Sequence, residues 1–272
     1  MNYDTIQGAI DANETLDGQT ISVDAGTYME HVRLTKSLQL VGTNRESTII
    51  DGSRMGNVVE ITADNVTMCG FTVRNSGTNQ SDSGILLFYT ENCHISQNCI
   101  TNNSVGIFIG SIVTKTFDVV TENDVANNSV GIYLYTAYNT TITANTLTDN
   151  EWGIILFASS NNTLFHNNFV RNNKQVFNWG ESGAWPNVWD DGYVSGGNFW
   201  SDYTGTDTNY DGFGDASYNV GPYIIGNIDH YPPDGHVQQF HSHFTVFGSN
   251  HKQLHYIELQ IQWHRNKLRC IR

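Results

Sequence analysis

The sequence predicts an all-β fold, a single parallel β-helix of about seven coils with a short helical N-terminal cap and an irregular Trp/Asp/Gly-rich C-terminal cap. Three observations predict it. Four segments open alike, Gly84-Ile-Leu-Leu-Phe, Gly106-Ile-Phe-Ile-Gly, Gly131-Ile-Tyr-Leu-Tyr and Gly153-Ile-Ile-Leu-Phe, with start points 22, 25 and 22 residues apart. Asparagine recurs in the same phase: Asn92, Asn139 and Asn161 stand eight residues after the glycine, and Asn98, Asn145 and Asn167 fourteen after. The segment from Gly106 keeps phase if three residues are inserted at 111–117, which aligns its Asn123 with Asn98 and Asn145. Within each segment apolar residues alternate, Ile132 and Leu134 with Tyr133 and Tyr135, which is the period of a strand. Two further short strands, at 140–143 around Ile142 and 146–148 around Leu147, complete one coil. Equivalent residues then stack at about 4.8 Å, with Ile85, Ile107, Ile132 and Ile154 in one inner column and Leu87, Ile109, Leu134 and Leu156 in the next. Asn suits the corners because it tolerates left-handed backbone, and stacked Asn amides bond along a column.

Taken in order, the chain opens with a helix from Asp4 or Thr5 to about Asn13, whose Ile6, Ala9 and Ile10 share a face. Residues 1–20 form the expected N-terminal cap, 21–177 the β-helix, 178–234 the C-terminal cap and 235–272 a basic, His-rich tail. The first coils read Ile6-Gln-x-Ala-Ile-Asp, Ile21-x-Val-x-Ala-Gly-Thr-Tyr-x-Glu, Leu38-x-Leu-Val-Gly and Ile49-Ile-Asp-Gly. This opening resembles that of secreted right-handed β-helix proteins, namely pectin esterases, pectate-lyase-like proteins and NosD-like proteins. Val59, Ile61, Val66 and Met68 are inward candidates of the next coil, and Cys69-Gly-Phe71 replaces its Asn corner. After Asn173 the pattern fades into Gln175-Val-Phe177. The segment holding Val188-Trp-Asp-Asp, Gly196-Gly-Asn-Phe-Trp-Ser-Asp-Tyr, Asp207-Thr-Asn-Tyr-Asp-Gly and Ile228-Asp-His-Tyr-Pro is similar to the C-terminal signature of archaeal and bacterial NosD-like surface proteins. That resemblance, over about residues 5–233, implies a right-handed winding and a secreted, cell-surface or periplasmic setting. It implies either a glycan-binding surface role or, as for the family's namesake, assistance in copper-site maturation. Residues 235–272 depart from it: Ile257, Leu259, Ile261 and Trp263 alternate as in a hairpin, and a foreign, poorly ordered extension is the other reading.

The formal net charge is −14. Residues 1–235 carry 8 Lys+Arg against 26 Asp+Glu, a balance of −18, and residues 236–272 carry 5 against 1, a balance of +4. An acidic body disfavours nucleic acid and anionic lipid, and no apolar run approaches a membrane span. No signal peptide is visible at residues 1–10, and a monomer is expected. The four cysteines, Cys69, Cys93, Cys99 and Cys270, occupy different phases; they read as idle thiols, or Cys93 and Cys99 as a disulfide.

Candidate sites follow from residue type. The outward positions of the first strand are apolar, with Leu86, Phe108, Tyr133 and Ile155 in one column and Phe88, Gly110, Tyr135 and Phe157 in the next. This stripe reads either as a platform for sugar rings, with Phe88, Phe108, Tyr133, Tyr135 and Phe157 as the substrate-binding set, or as a face covered by residues 179–200. Asp207, Asn209, Asp211 and Asp215 around Gly212 place oxygens at alternate positions as Ca²⁺ requires, although Tyr218 stands where an EF-hand has its bidentate Glu; a plain Asp/Gly turn is the alternative. Asp190, Asp191 and Asp202 are the catalytic candidates if the chain is a polysaccharide hydrolase or lyase, but Gly-His-Gly and Arg-Ile-Lys motifs are absent. Copper finds no clustered donors, since His31, His94, His166 and His230 are isolated and His241 and His243 form the only close pair. The sequons at Asn65, Asn79, Asn102, Asn127, Asn139 and Asn161 read as a by-product of Asn and Thr content.

Overall fold

The computed structural model describes residues 2–111, 116–179, 186–221 and 227–235. Three parallel sheets wind around one apolar core, and consecutive strands fall in different sheets. The first sheet holds seven strands from Thr20–Val23 to Thr163–Phe165, the second eight from Gly26–Tyr28 to Phe199–Trp200, and the third seven from Val32–Leu34 to Lys174–Trp179. Each strand pairs with its equivalent one coil away: Ile107 lies beside Ile85 and Ile132, and Ile132 beside Ile154. Those four isoleucines and the column Leu87, Ile109, Leu134 and Leu156 are completely buried. Met68, Ile95, Val120, Ile142 and Leu164 line the interior from the first sheet, and Val73, Ile100, Val125, Leu147 and Phe169 from the second. Four such side chains per coil contribute roughly 6–12 kcal/mol of apolar transfer, an upper bound for an extended reference chain.

The glycine that opens each long strand has a local cause. A Cβ on Gly131 would lie 2.5 Å from Gly153 O, and one on Gly153 would lie 2.5 Å from Gln175 O. The carbonyl of the next rung occupies the space a side chain would need.

Corners are built from a left-handed residue followed by a buried amide. Gln97, Glu122, Ala144 and His166 have φ of 56°, 57°, 58° and 57°, and Asn98, Asn123, Asn145 and Asn167 follow them, all fully buried. Each of these asparagines donates its backbone N–H to the side-chain oxygen of the next, Asn98 to Asn123, Asn123 to Asn145 and Asn145 to Asn167, all at 3.0 Å. A second buried column, Asn103, Asn128, Asn150 and Asn172, does the same at the next corner. Asn92, Asn139 and Asn161, by contrast, are the left-handed residues of the third corner, each at φ 59°.

Both ends of the solenoid are closed. The helix Ile6–Asp11 is N-capped by Thr5, whose hydroxyl accepts from Gly8 N at 3.0 Å. The Glu30 carboxylate, from the first coil, accepts from Ile6 N and Gln7 N, where a negative charge complements the helix dipole. Beyond the helix C-terminus Lys36 Nζ donates to the carbonyls of Ile10, Ala12 and Thr15. The C-terminal cap is less irregular than the sequence predicts. Val188 bridges Thr163 in the first sheet, and Phe199–Trp200 adds a strand to the second, so the solenoid continues past residue 177. The first Asn column runs on through Asn198 to Asp229, whose Oδ2 accepts from Asn198 N at 2.7 Å and from Trp200 Nε1 at 2.8 Å. Asn227 ends the third-corner column in the same way, accepting from Asn187 N and from Trp189 Nε1. Apart from Gly235, the predicted tail lies outside the described residues.

Candidate functional site

The outward face of the third sheet carries the aromatic stripe in the expected register. Phe108 pairs with Leu86 and Tyr133, and Tyr135 with Gly110 and Phe157. The last strand adds Phe177 beside Ile155 and Trp179 beside Phe157. Trp179 is 61% exposed and prolongs the stripe. The Trp189 and Trp200 side chains are buried at the solenoid end, where Trp200 stacks on Phe169 at 4.3 Å. Trp179, Trp189 and Trp200 therefore do not cover the stripe, and residues 180–185, the rest of the segment expected to do so, lie outside the described residues. Ring orientation adds what register cannot. Tyr135 and Phe157 stack on each other at 5.1 Å with an interplanar angle of 6°, so each gives one face to its neighbour. Phe108 meets Tyr133 edge-on at 5.1 Å and would also crowd a side chain on Gly110. Trp179 meets Phe157 edge-on at 5.4 Å and has the most open ring surface of the column.

The three carboxylates expected to serve catalysis are held in separate contacts. Asp190 Oδ2 accepts from His230 N at 2.9 Å and lies 2.8 Å from His230 Nδ1. Asp191 accepts from Ser195 Oγ at 2.8 Å, and Asp202 accepts from the Tyr218 hydroxyl through both oxygens. Among the described residues none of the three shares a hydrogen-bond partner with another.

In the Asp207–Asp215 loop the carboxylates turn towards their own backbone. Asp207 accepts from Asp211 N and Gly212 N, Asn209 also accepts from Asp211 N, and Asp215 accepts from Thr208 N and its hydroxyl. Gly212, at φ 93°, supplies the turn. Tyr193 donates its hydroxyl to Asp211 Oδ2 at 3.2 Å and ties this loop to the segment around residue 193.

Soft-metal donors are dispersed. Cys69, Cys93 and Cys99 are thiols, so no disulfide joins Cys93 to Cys99. Cys93 points into the interior, where burial, followed by the Asp118 charge, pushes its thiol up to about 12. His230 is engaged by Asp190, and His166 Nε2 lies 2.9 Å from Ser195 O. Among the described residues no group of three or more His, Cys, Asp or Glu is placed to hold a metal ion. His241 and His243 lie outside the described residues.

Register, burial and corner columns together define a parallel β-solenoid of about seven coils. Residues 8–205 match the family described as "Periplasmic copper-binding protein (NosD)", and the chain belongs to that family. Among curated proteins none is a detectable relative. Solved pectin methylesterases are similar to it in outline. The Yersinia enterocolitica enzyme is 12% identical, over 65% of this chain and 81% of that one, with a TM-score of 0.37. PemA from Erwinia chrysanthemi is 12% identical over 68% and 89%, with a TM-score of 0.42. A pectin methylesterase in complex with a hexasaccharide is 13% identical over 65% and 77%, with a TM-score of 0.43. No helix of the described residues is long and apolar enough to cross a membrane.

Proposed function

We propose that this NosD-family protein is a secreted, cell-surface or periplasmic solenoid that binds neutral glycans on the outer face of its third sheet. The observation that carries the reading is the run of stacked aromatic residues Tyr135, Phe157 and Trp179, which ends in the exposed Trp179. A sugar ring stacks on an exposed aromatic face, and Trp179 supplies one at the end of a rigid stack. The −18 balance of residues 1–235 repels polyuronides and leaves uncharged sugars as the compatible class. Covering about 80 Å² of the indole is worth about 2 kcal/mol, so Trp179→Ala is expected to weaken binding at least tenfold. Affinity electrophoresis through gels of neutral polysaccharide measures this. Equal retardation of wild type, Trp179→Ala and Tyr135→Ala would reject the assignment.

Calcium at Asp207, Asn209, Asp211 and Asp215 belongs to the same proposal, as an ion that braces the cap. A ligand of the native state must raise stability. The melting temperature is therefore expected to be higher in millimolar calcium than in chelator, and coincident curves would remove calcium from the reading.

A further inference from the structure

The C-terminal cap carries a second aromatic group, in which Tyr193 is exposed and Phe213 and Tyr231 are half-buried. Tyr193, Phe213 and Tyr231 meet pairwise at 5.8–6.5 Å, with interplanar angles of 60°, 53° and 77°. Tyr193 is 59% exposed, and its neighbour Val194 is 74% exposed. The backbone beneath them holds Val194 at φ 82°, between Gly192 and Gly196, whose φ of 79° and 90° glycine adopts without strain. A β-branched residue at positive φ is a genuine outlier, and solvent-facing strain of this kind marks segments shaped for contact. The hydrogen bond from Tyr193 to Asp211 and the bond from Gly197 N to Tyr231 O fix the group on the cap.

Two features select the partner. Residues 186–235 contain eight Asp and neither Lys nor Arg, so the formal charges of this segment are all negative. The three rings are mutually tilted, and the exposed Asp211 carboxylate accepts from the Tyr193 hydroxyl beside them. A flat sugar ring is best served by a flat platform, whereas tilted rings beside a carboxylate suit an ammonium or guanidinium group. We propose that the Tyr193–Phe213–Tyr231 face of the cap docks a basic peptide segment of a protein partner, taking an Arg or Lys side chain against the rings and Asp211. This surface is separate from the glycan face, and either stands if the other fails; it shares Asp211 with the proposed calcium loop, so calcium and a basic side chain compete there.

The test uses the full chain, in chelator so that calcium does not neutralise the loop, and a fluorescent hexa-arginine peptide followed by anisotropy at low salt. Binding is expected, weakening as salt is raised. Tyr193→Ala and Asp211→Asn are each expected to weaken it about three- to tenfold, and Tyr193→Phe, which keeps the ring, by less than the alanine variant. Asp11→Asn and Asp24→Asn, which remove exposed charges at the opposite end, are expected to leave the affinity within about twofold. Equal weakening by all the Asp variants would show general charge attraction and overturn the proposal. Absence of binding would overturn it too, as would displacement of the peptide by a neutral oligosaccharide. Melting curves of Tyr193→Ala matching wild type confirm that the readout is binding and not folding.

Discussion

Asn145→Ala is expected to destabilise the solenoid by about 4–6 kcal/mol, far more than Asn139→Ala six residues earlier. Asn145 is fully buried, and its Oδ1 accepts from both the backbone N and the Nδ2 of Asn123, each at 3.0 Å. Its own Nδ2 donates to Val120 O at 2.8 Å, Thr143 O at 3.0 Å and Asn167 Oδ1 at 3.1 Å. Alanine leaves the Asn123 N–H without its acceptor and the Val120 carbonyl without this donor. Water cannot reach either group, and each orphan costs about 1–3 kcal/mol before the cavity is counted. Asn139 instead occupies a left-handed corner at the surface, and its side chain bonds that of Asn161. Its replacement removes little beyond the tolerance of Asn for positive φ, about 1 kcal/mol. Hydrogen exchange is the measurement of choice, because a solenoid opens coil by coil and a single unfolding free energy can blur the site. Amides of the coils flanking Asn145 should lose protection in Asn145→Ala and keep it in Asn139→Ala. Similar losses in the two variants would show that the buried column does not carry the stability assigned to it.

This contrast also shows what a sequence makes visible. The Gly-led strands and the inward Ile and Leu columns are legible because each repeats one chemical type at one phase, and the structure stacks them as read. The column from Asn98 to Asn167 is legible for the same reason. The equally regular column Asn103, Asn128, Asn150 and Asn172 is masked in the sequence, because it sits beside Asn102 and Asn127, whose own job is the left-handed corner. That adjacency also explains the sequons at Asn102, Asn127 and Asn161: a corner Asn, a buried Asn and the outward Ser or Thr that opens the next segment spell the motif without any glycan. The continuation of the columns into Asn198, Asp229 and Asn227 is not legible, since 31 residues separate Asn167 from Asn198 and no period connects them. For the stripe, strand period alone places Phe88, Phe108, Tyr133, Tyr135 and Phe157 on one face, and only the rotamers reveal that Tyr135 and Phe157 face each other while Trp179 stands open. The Tyr193–Phe213–Tyr231 group joins three loops distant in sequence, and no spacing rule could have found it.

Asp118→Asn is expected to stabilise the protein above neutral pH and to have little effect near pH 4. Asp118 stands in the third-corner column where Asn162 and Asn187 stand in later coils, and it follows the left-handed Phe117 just as they follow their own corner or loop residue. It is only 1% exposed. Its Oδ1 accepts from Cys93 N at 2.8 Å, while its Oδ2 has no hydrogen-bond partner among the described residues. Burial, with smaller contributions from the charges of Asp64 and Glu91, pushes the carboxyl up to about 7. An unfolded Asp ionises at about 3.9, so between about pH 4 and pH 7 the folded chain keeps a proton that the unfolded chain has released. Stability from this group is therefore fully present below the unfolded value, declines as the pH rises, and is lost once the pH passes the folded value. At about 1.4 kcal/mol per pH unit the full span is about 4 kcal/mol, and water entry on opening reduces it to about 2–4 kcal/mol. The amide that the substitution introduces carries no charge to desolvate and offers the column the donor it has in the other coils. Asp229, which burial pushes up to about 6, titrates in the same sense but in both proteins, so it cancels when variant and wild type are compared at each pH. Urea unfolding at pH 4.5, 6 and 8 should show the difference between the two proteins growing with pH and levelling above about 7. A difference that is constant across this range would mean that Asp118 is ionised in the folded chain throughout, and the unpartnered oxygen would then have to be solvated from the corner.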